Sequence, residues 1–254
     1  EIPSCDWSSD VCSSDLRVMR ISVSGTYSVG KTSTTMCLSH YTGMPRTLAK
    51  AIREIMPDAV PGKKLAEVTP AEFLQLMMRR HCGRAVAEAA LGQEYLSDGS
   101  SLQEWTYGYA RLRFGMNPTD PSLPNERDRP EMGFFAEVVE QYGHAFRQHV
   151  KAGYDAVVHL ENERPISSDG HRPMNEEFRQ YCDMLLRTTV EELGIPLYRV
   201  GGSLKERVQS IVRTFDLPTV MDLEQAVALM EEDYAKIDMR LETERQTMNG
   251  QYAV

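Results

Sequence analysis

The segment GTYSVGKT, from Gly25 to Thr32, places the tightest constraint on the fold of this chain. It follows an apolar, β-branched run at 18–24 and precedes a helix-compatible stretch at 31–40, so the local order is strand, loop, helix. The loop satisfies the complete pattern GxxxxGK followed by Ser or Thr, whose glycines let successive backbone N–H groups point inward at phosphate oxygens. The sequence therefore predicts a P-loop whose nucleotide-binding residues are Gly25, Thr26, Tyr27, Ser28, Val29, Gly30, Lys31, Thr32 and Ser33.

Two side chains of this loop and one distant carboxylate predict a magnesium–triphosphate site. We expect Lys31 to reach the β- and γ-phosphates and Thr32 to place its hydroxyl on Mg²⁺. The brief apolar run 94–97 ends at Asp98, where the crevice of an open α/β sheet should lie, so Asp98 is predicted as the carboxylate beside the metal. Capping the next helix is the alternative role for Asp98. The predicted cofactors are ATP and Mg²⁺, and GTP is only mildly disfavoured, because the faintly NKxD-like run 125–128 lacks a preceding strand.

Three further groups of residues are candidates for catalysis or for binding the nucleotide. Glu104 follows in the first turns of the next predicted helix and is expected to face the substrate or, through water, Mg²⁺; a solvated helix carboxylate is the alternative. Arg164 and Arg172 lie in a charged loop that can cover a transferring phosphoryl group, and surface ion pairs are their alternative. Gly201-Gly202-Ser203 follows the last predicted strand, where an open sheet presents a loop to the nucleotide base, although a tight turn and helix cap would use the same residues.

The rest of the pattern is typical of an α/β protein. Apolar runs predict strands at 18–24, 94–97, 154–160 and 196–200. Between and after them, helical spacing predicts helices at 31–40, 47–56, 70–91, 102–114, 132–151, 175–193 and 203–213. Alternating strands and helices imply a mostly parallel sheet with helices on both faces, a three-layer sandwich. After Leu217-Pro218, an amphipathic helix is predicted at about 222–245.

The chain divides into three predicted regions. Residues 1–16 contain CDWSSDVCSSDL, which has neither helical nor strand period and resembles the translation of a sequencing-library adapter, so we expect this region to be disordered and Met19 to be the natural start. Residues 17–215 are predicted to form the P-loop kinase-like domain, and 216–254 a C-terminal helical extension.

Charge and composition limit the partners. A net charge of -9 and a pI of about 5.3 argue against a broad nucleic-acid-binding face, which needs clustered Lys and Arg. No apolar run reaches the about 18 residues that a membrane span requires. Outside 1–16, Cys37, Cys82 and Cys182 are dispersed, which fits reduced buried thiols. These features predict a cytoplasmic protein without membrane or nucleic-acid partners, and a homodimer stays open.

Four segments together resemble one known family. They are GTYSVGKT at 25–32, LSDGSSLQEWTYG at 96–108, YDAVVHLENERPISSDGHR at 154–172 and YRVGGSLKERV at 198–208. Their order resembles the NadR and TRPL-translocation-defect type of P-loop NTPase and kinase family, AAA_28-like, over roughly Arg20 to Arg213. The resemblance implies a five-stranded parallel sheet of order 2-3-1-4-5, Asp98 beside the P-loop, an arginine-bearing lid at 164–172 and the Gly201 loop near the base.

One departure from that family concerns the acceptor side. Many related kinases carry Asp-Arg-Ser at the end of the third strand, whereas this chain has Asp98-Gly99-Ser100. The arginine that would hold substrate or phosphate is therefore absent from this position. The resemblance consequently specifies the nucleotide donor more firmly than the acceptor.

The leading functional hypothesis is a small-molecule kinase that transfers the γ-phosphoryl group of ATP to a nucleoside- or nucleotide-like acceptor. The acceptor hydroxyl would lie between 42–56 and 98–105, where Asp98 or Glu104 orients or deprotonates it. The rival is a regulatory ATPase or GTPase switch that docks a protein partner and reports nucleotide state through the C-terminal helix. A nucleic-acid end kinase is a weaker third hypothesis, because the chain is acidic.

Overall fold

A five-stranded parallel sheet forms the centre of the computed structural model, which describes residues 19–47, 50–119, 130–167 and 172–237. The strands are β1 Arg20–Ser24, β2 Arg46–Thr47, β3 Tyr95–Asp98, β4 Ala156–Leu160 and β5 Leu197–Val200. They lie in the order β2-β3-β1-β4-β5, with each neighbouring pair parallel. The predicted fold class and sheet order are confirmed, and all five carboxyl ends meet at one edge of the sheet.

Helices cover both faces of this sheet. They are α1 Lys31–Thr42, α2 Ile52–Ala59, α3 Pro70–Leu91, α4 Ser101–Phe114, α5 Pro130–Gly153, α6 Glu176–Glu192, α7 Leu204–Phe215 and α8 Leu223–Ala235. In one hydrophobic core, α1, α7 and α8 pack on one face of the sheet. In the other, the five helices α2, α3, α4, α5 and α6 pack on the opposite face. Strand β4 shows why, since Val158 belongs to the first core and its neighbour Val157 to the second. This is the three-layer sandwich.

Local capping signals fix where several helices begin. Thr69 accepts a hydrogen bond from the backbone of Glu72 at the start of α3, and Asn175 accepts one from Phe178 at the start of α6. Such caps satisfy backbone N–H groups that have no partner inside the helix. Helix α3 therefore has the same limits, 70–91, in the sequence-based prediction and in the structure.

The helix predicted over 47–56 is wrong in its first residues. Arg46 and Thr47 form the edge strand β2, and the helix α2 begins only at Ile52. The backbone of Leu96 donates a hydrogen bond to the Pro45 carbonyl, and the Thr47 and Ser97 hydroxyls lie 3.0 Å apart. A strand of two residues is too short to show a period of two in sequence, so pairing with β3 decides it.

Helix α8 packs across α1 at the end of the described chain. Leu223, Ala226 and Met230 are buried in the core that α8 shares with α1 and α7. The carboxylate of Asp233 contacts Arg46 at 2.7 Å and His40 at 3.0 Å, which joins α8 to β2 and α1. The helix predicted over about 222–245 is wrong in its extent, because α8 ends at Ala235 with Lys236 as its C-cap. Residues 238–245, and the segment 1–16 that is predicted to be disordered, lie outside the described residues. The predicted domain limits stay a prediction.

Two expectations from composition can be compared with the described residues. Cys37 and Cys182 are buried free thiols there, whereas Cys82 is free and exposed, so the expectation of buried thiols holds for two of the three. Among the helices of the same residues, none has the length and apolarity that a bilayer crossing needs.

We expect Asp233→Ala to loosen α8. Hydrogen bonds from Lys236, Arg46 and His40 hold the pKa of Asp233 well below its usual range, which shows how strongly the folded state favours the charged carboxylate. Because the group is partly solvated, its loss should cost only about 1 kcal/mol, or about 2–4 °C in melting temperature. Lys236→Ala, which removes the exposed partner alone, should change the melting temperature by less. Equal melting temperatures for wild type and Asp233→Ala would contradict the anchor.

Candidate active site

The P-loop adopts backbone angles that need its glycines. Gly25 has φ +135°, and a methyl group there would lie 2.9 Å from Val29 Cγ2 and 3.0 Å from the Leu160 carbonyl oxygen. Gly30 has φ +92° and caps the N-terminus of α1. Ser28, between them, also has a positive φ of 64°. The loop therefore curls at the start of a helix, the arrangement that binds phosphate.

Thr32 and Asp98 meet as the sequence predicts. The Thr32 hydroxyl donates to Asp98 Oδ2 at 2.6 Å, because the parallel register of β1 and β3 sets Asp98 beside Val23, just before the P-loop. Asp98 does not cap α4, whose N-cap is Ser100. A hydroxyl and a carboxylate fit Mg²⁺, which takes few protein oxygens and completes its shell with phosphate and water.

Lys31 is buried at the centre of the site. Its Nζ donates to the Thr26 carbonyl at 2.6 Å. Burial lowers the pKa of Lys31 to about 8, Arg172 and Arg80 add to that effect, and Asp98 and Glu104 oppose it. A bound phosphate would favour the charged amine again, since a nearby anion stabilises a cation. The surroundings of Lys31 therefore supply too little negative charge to offset its burial, and the phosphates of a bound nucleotide would supply more.

The charged loop that contains both predicted lid arginines lies over the P-loop. Arg172 Nη1 and the backbone N–H of Ser167 each donate to Ser28 Oγ at 3.0 Å. Arg164 Nη1 lies 3.8 Å from where a methyl group on Gly30 would be. Of the acidic residues in this loop, Glu161 pairs with Arg199 and Glu163 with Arg207. Hydrogen bonds from the Gly202 backbone and Arg207 lower the pKa of Glu163, and the charge of Arg164 also helps to lower it. Both predicted arginines are therefore brought to the phosphate site.

Two buried arginines that the sequence analysis missed hold this arrangement. Arg207 from α7 donates to the Val29 carbonyl, and Arg179 from α6 donates to Thr26 Oγ1 at 3.3 Å and to the Arg164 carbonyl at 2.7 Å. Each of these two arginines is about 1% exposed. Their fixed positive charges lie next to the P-loop, where they favour an anionic ligand.

The Gly201-Gly202-Ser203 loop was expected near the nucleotide base, and the contacts that the structure shows for it are those of a turn and a helix cap. The backbone of Gly202 donates to Glu163 Oε2 at 2.7 Å, and Ser203 caps α7 in a capping box with Glu206. Leu204 lines the cavity beside the P-loop, whereas the three loop residues do not. A role in binding the base stays a prediction, and the turn-and-cap interpretation describes the contacts that the structure shows.

A cavity of about 950 Å³ extends from the P-loop along the carboxyl edge of the sheet. Part of its lining is apolar and aromatic, with Phe73, Met77, Tyr107 and Phe178, and the Tyr107 ring lies 5.9 Å from the ring of Tyr27 in the P-loop. Asp98, Gln103 and Glu104 are polar members of the same lining, and Met230, Tyr234 and Ile237 contribute to it from α8 and the turn after it. The volume suits a nucleotide with a second small ligand.

Glu104 lines this cavity and is only 6% exposed. Its Oε1 is 2.8 Å from Arg80 Nε and 3.8 Å from Arg84 Nη2. The alternative of a solvated helix carboxylate is therefore wrong. A buried carboxylate held by arginines can orient a hydroxyl and accept its proton.

A layer of buried polar side chains supports Asp98 from below. Arg84 Nη1 donates to the Asp98 carbonyl at 2.9 Å and to Ser97 Oγ at 3.1 Å. The Ser97 hydroxyl in turn donates to Glu88 at 2.6 Å, and Tyr154 also donates to Glu88. This network fixes the end of β3, from which the predicted metal carboxylate projects.

The spacing of residues in α3 could have identified Arg80 and Arg84 from the sequence. Phe73, Met77, Arg80 and Arg84 follow one another at intervals of four, three and four residues, so they share a face of α3. All four line the cavity. Two arginines that continue the apolar stripe of a helix indicate buried cations, and a buried cation needs an anionic partner.

Fold and site together define a P-loop protein with a nucleoside- or nucleotide-kinase-like fold. The sequence profile of the AAA domain family AAA_28 matches residues 20–207, so the chain belongs to that family. None of the curated proteins matches its sequence significantly.

Two solved structures are similar to this chain in fold. A deoxyadenosine kinase from M. mycoides with bound dCTP gives a TM-score of 0.51 at 11% identity and covers 78% of this chain and 99% of that chain. A second structure of that kinase, with the products dCMP and a flexible dCDP, gives a TM-score of 0.50 at 11% identity, with coverage of 78% and 98%. At this identity the likeness shows the fold alone.

We expect Lys31→Ala to remove most of the stabilisation that Mg-ATP gives. A ligand at 100 times its dissociation constant should stabilise the wild type by roughly 2.7 kcal/mol. Lys205→Ala is the matched control, because this lysine is solvent-accessible and pairs with Glu224 on the surface. Thermal shift with and without Mg-ATP measures the effect, and equal shifts for wild type and Lys31→Ala would refute the P-loop assignment.

Proposed function

We propose that this protein is a kinase that transfers the γ-phosphoryl group of Mg-ATP to a hydroxyl of a nucleoside- or nucleotide-like small molecule. One observation carries the proposal: a single cavity is lined by the P-loop, the Thr32–Asp98 pair, several aromatic side chains and the buried carboxylate of Glu104. Aromatic side chains suit a flat ring, and a carboxylate in the same lining suits a hydroxyl.

The donor half of the site would hold the triphosphate. Backbone N–H groups of the P-loop and the Lys31 amine bind the phosphates, while Thr32 and Asp98 would hold Mg²⁺. The metal would neutralise charge on the phosphate oxygens when bound. Arg164 and Arg172 cover the same oxygens from above, where they stabilise the charge that grows during transfer.

The acceptor half would supply the nucleophile. The sequence leaves Asp98 and Glu104 as candidates for the base, and Asp98 is engaged with Thr32. Glu104 is therefore the better base for the acceptor hydroxyl. The oxygen of that hydroxyl forms a bond to the γ-phosphorus, the bond to the bridging oxygen breaks with its electron pair leaving on ADP, and the proton goes to Glu104.

A regulatory nucleotide switch is the second candidate, and one observation favours it. Helix α8 lies beyond the residues that match the family, and yet this C-terminal region lines the cavity through Met230, Tyr234 and Ile237. A nucleotide bound there would contact α8 and change its packing on α1. The volume of the cavity, about 950 Å³, favours the kinase, because small-molecule sites are concave whereas a docking surface for a protein would be flatter. A cytoplasmic location and a homodimer stay predictions from the sequence.

The first test is phosphorylation of a panel of ribo- and deoxyribonucleosides, their monophosphates and simple alcohols with Mg-ATP. We expect a nucleoside-like compound to be phosphorylated well above the rate of ATP hydrolysis in its absence, as measured by ADP release and by mass of the product. Lys31→Ala serves as the inactive control. Hydrolysis without any phosphorylated product would contradict the kinase and favour the switch.

The second test concerns the lid arginines. Arg164→Ala and Arg172→Ala should lower turnover at saturating Mg-ATP by about 10²–10³-fold with a smaller loss of ATP affinity, because the contact strengthens as transition-state charge develops. Arg199→Ala is the matched control, since Arg199 is an exposed arginine whose ion pair with Glu161 is worth at most about 1 kcal/mol. If both lid variants and the double variant keep turnover within about fivefold of wild type, the lid role is wrong.

A further inference from the structure

Two arginines of α3, Arg80 and Arg84, converge on the carboxylate of Glu104 in the lining of the cavity. Arg80 and Arg84 are four residues apart, so they lie one above the other on the helix. Like charges at this spacing destabilise a helix rather than support it. Their position therefore requires another explanation than the stability of α3.

The two arginines have different surroundings. Arg84 is 1% exposed, and its charge faces Glu88 through the bridging hydroxyl of Ser97. Arg80 keeps 17% of its side chain exposed, lines the cavity and has Glu104 as its ion-pair partner. Both arginines line the cavity, but Arg84 also belongs to the buried polar layer below β3, whereas Arg80 is the more exposed of the two.

The contact between Arg80 and Glu104 is close but incomplete. Their Nε and Oε1 atoms are 2.8 Å apart, yet neither atom has an aligned hydrogen-bond partner among the described residues. A buried ion pair of this kind is a poor source of stability, because desolvation offsets the attraction. Since burying this ion pair has an unfavourable desolvation free energy and the pair lines a ligand cavity, a role in binding or orienting the ligand explains its position better than stability does.

The pair and Lys31 line the same cavity. Both charges act on Lys31, since Arg80 lowers the pKa of its amine and Glu104 raises it. The pair is therefore near enough to influence the lysine that would hold the γ-phosphate. An acceptor hydroxyl between them would lie next to both the carboxylate and the phosphorus.

We propose that Arg80 is a positioning residue that holds the Glu104 carboxylate towards the acceptor hydroxyl. This inference rests on the proposed kinase function. With Oε1 held against Arg80, Oε2 accepts the proton as the acceptor oxygen forms its bond to the γ-phosphorus and ADP leaves with the electrons of the broken bond. The site then selects for a hydroxyl acceptor, because a phosphate acceptor at the same place would meet a carboxylate.

The experiment compares single and double variants in the kinase assay, with Mg-ATP and the nucleoside of the panel that wild type phosphorylates fastest. Arg80→Met and Glu104→Gln should each lower kcat by about 10²-fold or more, with the KM for Mg-ATP within about twofold of wild type. The double variant should be no slower than Glu104→Gln alone, because residues that act as a unit are not additive. Arg80→Lys should restore some of the rate, since it keeps the charge but not the fork.

Arg79→Met is the matched control, because Arg79 is the neighbouring arginine of α3 and its side chain is exposed. It should leave kcat unchanged. A thermal shift with Mg-ATP shows whether each variant is folded, and Arg80→Gln replaces Arg80→Met if that variant does not fold.

The outcomes separate the two proposals. If wild type phosphorylates a nucleoside and Arg80→Met, or Arg80→Gln, stays within about threefold of it, Arg80 has no such role while the kinase function stands. Multiplying rather than overlapping losses in the double variant would also overturn the inference. If wild type phosphorylates no compound of the panel, the proposed function fails and this inference fails with it.

Discussion

The parallel pairing of β1 with β3 is the constraint on which the rest of the site depends. It sets Val23 beside Asp98, so the strand that leads into the P-loop ends next to the strand that ends in the carboxylate. The Thr32 hydroxyl, in the first turn of α1, then reaches Asp98 at 2.6 Å. Because both strands run the same way, the positive end of α1 and the candidate metal carboxylate open onto the same edge.

Buried arginines organise the surroundings of that edge. Arg179 and Arg207 bind the P-loop and the charged loop that contains Arg164, and Arg84 binds the end of β3. An uncompensated buried cation is costly, so each guanidinium is placed against carbonyl, hydroxyl or carboxylate oxygens. What they leave around Lys31 is a positive region, and an anionic ligand would complete it.

Elements with long periodic segments or local signals could be predicted from the sequence. Helix α3 has a capping Thr69 and a long run of helical spacing, and its limits agree with the prediction. The strand β2 could not be predicted, because two residues carry no period and only the exposed edge of β3 defines their conformation. The role of Arg80 was missed for a related reason, because its ion-pair partner Glu104 lies on another helix.

By itself, the sequence determined the P-loop, its Lys31 and Thr32, and the alternation of strands and helices that requires a parallel sheet. These features are local, so hydrogen bonding and backbone angles within a few residues are enough to specify them. Only the tertiary structure decided that Glu104 is a buried, arginine-paired carboxylate and that Glu163 contacts the Gly202 backbone. Both results depend on burial and on charges from distant segments, and neither quantity exists until the helices pack on the sheet.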